Sequence, residues 1–253
     1  MNETLKTLQN IRTIHGNFND ENISDENLKT ILQTALRAPN AGNMQTYSII
    51  SIRDRKVMRE LFSYRGSVAL VFCADHNRQV AAAEHLGYNF KPNTAGWFIT
   101  ASTDTVLAAQ TASITAQSLG IDSLFTTALY RGDFSRIKRI LNLPEKYCFP
   151  IITLILGYPK SEPKHKKCRY SGKGLLHKEK YKKLDESEIE EMIKQYDDID
   201  NRLGIPVLGH WEKRNDHLFD KIFSFWGNGD ANESSKQLFE ALKLSGYLDA
   251  EEM

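Results

Sequence analysis

Apolar and polar positions recur along this chain with two different periods, and the switches between them mark out its elements. In SDENLKTILQTALRAP, residues 24–39, Leu28, Ile31, Leu32 and Ala35 fall at helical spacing. Ser24 stands at the N-cap, Asp25 and Glu26 occupy the first turn, and Pro39 forbids continuation. The segment therefore predicts an amphipathic helix with both ends signalled: a serine oxygen satisfies free backbone N–H groups, and acids complement the helix dipole. TYSIISIRD predicts a strand rich in β-branched residues. SVALVFCAD, apolar at nearly every position, predicts a fully buried strand. STDTVLAAQTASITAQSLGID, residues 102–122, is mostly small or apolar all the way round. It reads as a helix running from a Ser/Thr/Asp cap to Gly120 and buried on several sides, the texture of a central helix at a subunit interface. A strand in DSLFTTAL, a helix in DFSRIKRILNLPE and a last strand in PIITLILGYP follow.

Beyond about residue 178 the texture changes to charged helical segments with sparse apolar positions such as Phe219 and Phe223. This divides the chain into a core, 1–177, and a helical C-terminal extension, 178–253, that packs on the core or on a partner subunit. Helices and strands mix without a regular βαβ rhythm, which predicts an α+β fold.

Composition narrows the function classes. A chain of 253 residues with 41% apolar and 26% charged residues buries a sizeable core and is not disordered. A net charge of +1 exerts no overall pull on polyanions, so any basic patch acts locally. No run of about 18 apolar residues is present, the first residues lack a signal-peptide core, and Cys73, Cys148 and Cys168 form no CxxC pair. A soluble cytoplasmic protein without a disulfide framework, zinc site or membrane contact is expected. GxGxxG, GxxxxGK[ST], GxSxG and HExxH are all missing, and the seven histidines are dispersed. Any enzymatic chemistry is therefore expected to come from a bound cofactor.

Three stretches could bind one. The crowd Lys164, Lys166, Lys167 and Arg169 follows the last apolar run and could meet a nucleic-acid backbone, the phosphate of a small cofactor, or water. RAPNAGNMQTYSI places the amides of Asn40, Asn43 and Gln45 around small Ala41 and Gly42. It is either an ordinary helix-to-strand connection or a cradle for a planar heterocycle. NIRTIHGNF sets Arg12, Thr13 and His15 just after a short helix.

Taken in order, these pieces resemble the nitroreductase family of FMN enzymes, nearest to its flavin-reductase and oxygen-insensitive NAD(P)H nitroreductase branch. RTIH at 12–15 is similar to the family's R-S-I-R, VFCADHNRQ to a strand end with F-C-A-D, and DTVLAAQTASITAQSLGID to the central helix. LNLPE, LGYP, a K-x-R element and LLHKEKY follow in family order.

The resemblance covers nearly the whole chain. It implies a nitroreductase-like fold, a central mixed or antiparallel sheet flanked by helices in an intertwined homodimer with extended C-terminal helices. It also implies that Lys167 and Arg169 bind the FMN phosphate, alternate residues of an extended segment pointing the same way, with Arg12 and Thr13 completing that pocket. Asn40, Asn43 and Gln45 match P-S-x-x-N-x-Q, which contacts the flavin. Thr126 and Thr127 stand where the family has a small-residue stretch facing N5 and O4. His15 replaces an arginine near the pyrimidine ring, and HGNF carries one residue more than the family spacing.

The implied activity is ping-pong hydride transfer from NADH or NADPH through flavin N5 to nitroaromatics, quinones or free flavin, with no catalytic side chain and no metal. A flavin-fragmenting or dehalogenating relative, or a non-catalytic FMN-binding protein, is the alternative. Small-molecule acceptors rather than nucleic acid are the expected partners.

Overall fold

A computed structural model describes residues 1–162, 169–198, 217–226 and 231–248 of the chain. Two compact units are present: Met1–Glu162 together with Ser234–Met253, and Pro163–Glu233.

The first unit is built on a four-stranded antiparallel sheet: β1 (Tyr47–Ile52), β2 (Val68–Asp75), β3 (Asp122–Thr126) and β4 (Cys148–Gly157), in the order β1-β2-β4-β3. Every residue of β2 is buried because helices cover both faces of the sheet. Side chains alternate across a strand. Ala69, Val71 and Cys73 accordingly pack with Met58 and Phe62 of α3 (Arg55–Phe62) and with Phe134 and Ile137 of α6 (Phe134–Leu141). Val68, Leu70 and Phe72 point the other way, against Leu28, Ile31 and Ala35 of α2 (Asp25–Ala35) and Ala108, Ala109, Ala112 and Ala116 of α5 (Ala95–Ser118). The register between β2 and β4 slips after Phe72, where Cys73 faces Pro150. A β-bulge accommodates a proline that has no N–H for the ladder.

α2 begins at Ser24, whose side chain accepts from the Asn27 N–H, and its acidic first turn is as the sequence predicts. α5 differs from expectation at its start. It is capped by Thr94, whose side chain accepts from the Trp97 N–H, so it begins two turns before Ser102. The Ser102, Thr103 and Thr105 hydroxyls donate to the carbonyls of Phe98, Ile99 and Ala101, four residues back. A hydroxyl that can cap a helix can equally bond within one. The far end follows the sequence: Gly120 takes φ +73°, Gly120 N–H bonds Gln117 O, and Ile121 N–H bonds Ala116 O. That pair of bonds is a Schellman closure.

Before the sheet, α1 (Glu3–Asn10) leads into a short extended stretch. Thr13 bridges Ser123 in parallel, and the Ile14 N–H donates to Ser123 O, setting Arg12 beside the start of β3. α4 (Asn77–His85) follows β2. Of α9 (Ala231–Leu244), Ala241 is buried in the core, joined by Tyr247 beyond the helix end.

The second unit contains α7 (Glu186–Asp197) and α8 (Leu218–Trp226). α7 opens with a capping box between Asp185 and Glu188, and Glu188 also pairs with Lys173 and Lys182. Asp197 accepts from the Leu218 N–H at the start of α8, and Phe219 packs against Tyr196 and Phe223.

Candidate functional site

Arg12 is the most tightly specified of the sequence-predicted residues. Its Nε and Nη2 donate to Asp122 Oδ1 and Oδ2 at 2.8 and 2.7 Å, a side-on fork to a carboxylate 110 residues away. Nη1 donates to Glu162 Oε2 at 2.7 Å. The two carboxylates differ sharply: the Asp122 side chain is 4% exposed and that of Glu162 75%. Hydrogen bonds from both raise the Arg12 pKa further above its ordinary value, and the Arg12 hydrogen bond holds the Glu162 carboxyl below its own. Among the described residues three of the five guanidinium donors are thus engaged, which leaves one hydrogen on each terminal nitrogen. Thr13 is exposed on the same stretch.

His15 is exposed with φ +44°, and Gly16 follows at φ +85°. Together they make a turn closed by the Asn17 N–H on Ile14 O. The His15 ring lies 5.9 Å from that of Tyr64. A side chain at Gly16 would press a Cβ to 3.1 Å from the same Tyr64 ring.

Thr126 and Thr127 stand at the other end of β3, the strand whose first residue grips Arg12. Four strand steps separate Asp122 from Thr126, about 13 Å. Half-buried Thr126 accepts from the Ala128 N–H through its hydroxyl at 3.2 Å. Arg169 is exposed in the second unit, while Lys167, with Lys164 and Lys166, lies outside the described residues.

Asn40, Asn43 and Gln45 share one loop of unusual backbone. Gly42, Asn43 and Gln45 have φ of +56°, +55° and +48°, the left-handed region that costs a side-chain-bearing residue roughly 1–2 kcal/mol. The loop is over-determined from two sides. From α5, Asp104, only 2% exposed, accepts from the Ala41 N–H at 2.9 Å, the Thr46 N–H at 3.4 Å and the Thr46 hydroxyl at 2.7 Å. From α4, Arg78 donates to the carbonyls of Gln45 and Tyr47, and Gln79 Nε2 donates to Met44 O at 2.5 Å. Within the loop, Asn40 Oδ1 accepts from the Gln45 N–H at 3.0 Å, and Gln45 Nε2 donates to Asn43 O and Oδ1 at 2.6 and 2.7 Å. Part of the amide set therefore shapes the loop itself.

The beginning of α4 is pinned in turn by His76, which is fully buried. The Tyr247 hydroxyl donates to Tyr147 O at 2.9 Å and lies 3.1 Å from His76 Nδ1, so it accepts the hydrogen on Nδ1. Among the described residues Nε2 has no hydrogen-bond partner, and the ring sits among Phe90, Trp97 and Tyr247. Burial pushes the imidazole pKa down to about 4, against the opposing pull of Asp75 and Asp104.

Sequence reasoning passes over Asp104, Asp122, Arg78 and Glu162. Asp104 leaves a trace, a lone carboxylate in an otherwise small and apolar helix. The Arg12–Asp122 fork leaves none, because no local pattern links residues so far apart. The structure brings Arg12, Thr13, Thr126 and Thr127 to β3, and Asn40, Asn43 and Gln45 to a loop anchored at Asp104. From Asp104 to Ser118 the α5 axis rises about 21 Å; past Gly120 the chain enters β3, where the Ser123 hydroxyl lies 3.3 Å from that of Ser113.

Comparison with known proteins agrees with this architecture. The chain matches the nitroreductase family model over residues 9–158. It is 31% identical over 209 residues to an FMN reductase [NAD(P)H] of Bacillus subtilis, covering 78% of this chain and 81% of that protein. An FMN reductase (NADPH) of the same organism is 29% identical over 191 residues, 72% of this chain and 75% of the relative. Among solved structures, B. megaterium NfrA2 superposes with a TM-score of 0.83 at 25% identity, over 98% of this chain and 99% of that one. The chain belongs to the nitroreductase family.

Proposed function

We propose that this protein is an FMN-dependent NAD(P)H oxidoreductase that reduces small electron-poor acceptors: nitroaromatics, quinones or free flavin. When bound, FMN supplies the hydride chemistry at N5, and the chain supplies binding, orientation and charge. The donor set present fits that cofactor. Arg12 keeps unspent guanidinium hydrogens and Thr13 an exposed hydroxyl for the phosphate, and Lys167 and Arg169 are assigned to the same anion. The backbone at Thr126 and Thr127 lies one strand length away, a suitable station for the ring system. Asn40, Asn43 and Gln45 are assigned to the flavin edge, and His15 to the pyrimidine side, where a neutral or protonated imidazole can donate. The observation that carries the reading is the Arg12 guanidinium, held side-on through Nε and Nη2 by a buried carboxylate, with Nη1 turned to the exposed Glu162.

The working unit is proposed to be a cytoplasmic homodimer, with the helical extension from residue 178 packing on the core or the partner. One feature supports the dimer. Ile99, Val106 and Leu107 form an apolar stripe on α5, exposed by 63%, 45% and 38%. Among the described residues no helix is long and apolar enough to cross a membrane.

The test is an anaerobic titration of the FMN-loaded protein with NADPH and with NADH, followed at the visible flavin band. The reading expects bleaching by at least one nucleotide and recovery of colour on adding menadione. A flavin that binds but resists both donors would point to a non-catalytic binding protein.

A further inference from the structure

Arg12 is contacted by two carboxylates that have different tasks. Asp122 is buried, grips the guanidinium side-on with both oxygens, and is fixed by its place at the start of β3. Glu162 is exposed, offers one oxygen to Nη1, and makes no other hydrogen bond or ion pair among the described residues. The backbone that carries it is nevertheless well placed. The Lys160 N–H bonds Asn17 O at 2.8 Å, and Asn17 Nδ2 bonds Ser161 O at 2.8 Å and Ser161 Oγ at 3.2 Å. The main chain thus delivers the carboxylate to Arg12, and a side-chain rotation alone removes it.

Charge points the same way. Arg12, Asp122 and Glu162 sum to one net negative charge, so a phosphate approaching the outer nitrogens meets an arginine already over-neutralised. Glu162 is also the only acidic residue in GYPKSEPKHKKCRY, residues 157–170, placed just ahead of the cations assigned to that phosphate.

We propose that Glu162 is a built-in competitor for the cofactor phosphate: its carboxylate occupies the outer edge of Arg12 and swings away when FMN arrives, so this chain holds FMN more loosely than its cations alone would. The inference rests on the FMN reading above and deepens it, making Glu162 a determinant of flavin affinity and exchange. Asp122 is the positioning residue that keeps the guanidinium aimed outward when Glu162 leaves.

The experiment titrates flavin-stripped protein with FMN and with riboflavin, reading flavin fluorescence, for the wild type, Glu162→Gln and Arg12→Ala. An exposed carboxylate competing for one contact is worth a modest factor, so Glu162→Gln is expected to bind FMN about twofold to fivefold tighter. Riboflavin, which has no phosphate, should bind both proteins equally. Arg12→Ala is expected to weaken FMN by about tenfold or more. Unchanged or weaker FMN binding in Glu162→Gln overturns the proposal, as does equal tightening for riboflavin. Failure of the underlying reading looks different: the wild type would bind no FMN, or Arg12→Ala would bind it normally.

Discussion

The Arg12 cluster and the Asn40–Thr46 loop are held in place by different physics. Around Arg12 the contacts are ion pairs between side chains, one carboxylate buried and the other in water. In the loop the main chain itself is gripped: a buried carboxylate takes two N–H groups and a hydroxyl, and α4 donates to three carbonyls. An exposed ion pair is cheap to rearrange, whereas buried donors left without an acceptor are expensive. The first region is therefore suited to exchanging one anion for another. The second is suited to keeping a strained backbone in one shape.

The contrast is broken most severely at Asp104. Asp104→Ala strands the Ala41 and Thr46 donors in the interior, and urea unfolding is expected to show a loss of about 3 kcal/mol. Asp104→Asn keeps one acceptor oxygen and should fall between. Glu162→Gln, by contrast, should leave the unfolding midpoint unchanged; comparable losses at both positions would erase the distinction.

Acid sharpens it next. His76 is buried as the neutral form with its pKa lowered to about 4, so the unfolded chain binds a proton that the folded one refuses between the usual 6.5 and that value. Stability is full above pH 6.5 and declines as pH falls through this window, by about 3 kcal/mol at most. Replacing His76 with Phe should flatten that part of the stability–pH curve. Because His76 lies two and three residues before Arg78 and Gln79, hydrogen exchange in mild acid should quicken in the loop before it quickens around Arg12.

The smallest effect is at Gly42. Its φ of +56° disfavours any side chain, yet an added Cβ would meet nothing closer than Met44 at 3.7 Å. Gly42→Ala is expected to cost about 1 kcal/mol by the same unfolding measurement, from backbone strain alone.

The same contrast explains what could be read from the sequence. α2, with its serine cap and acidic first turn, and β2, apolar throughout, are legible because local chemistry sets them. The end of α5 is legible through Gly120. Its beginning is not, since Ser102, Thr103 and Thr105 look like caps but spend their hydroxyls on the preceding turn. α4 carries no such signal at its start, since His76 precedes it without any side-chain cap bond. α3 did carry a signal, Asp54 accepting from the Lys56 and Val57 N–H groups. At the site, candidates could be named in short motifs, but the groups that aim them could not. Asp122 is 110 residues from Arg12, and Asp104 is 63 from Ala41.

The most direct test is a crystal structure of the protein grown with FMN. The account predicts the phosphate within hydrogen-bonding distance of the Arg12 terminal nitrogens, Asp122 still forked to Nε and Nη2, and Glu162 turned out to solvent. Flavin bound elsewhere, with Arg12 still joined to both carboxylates, would contradict it.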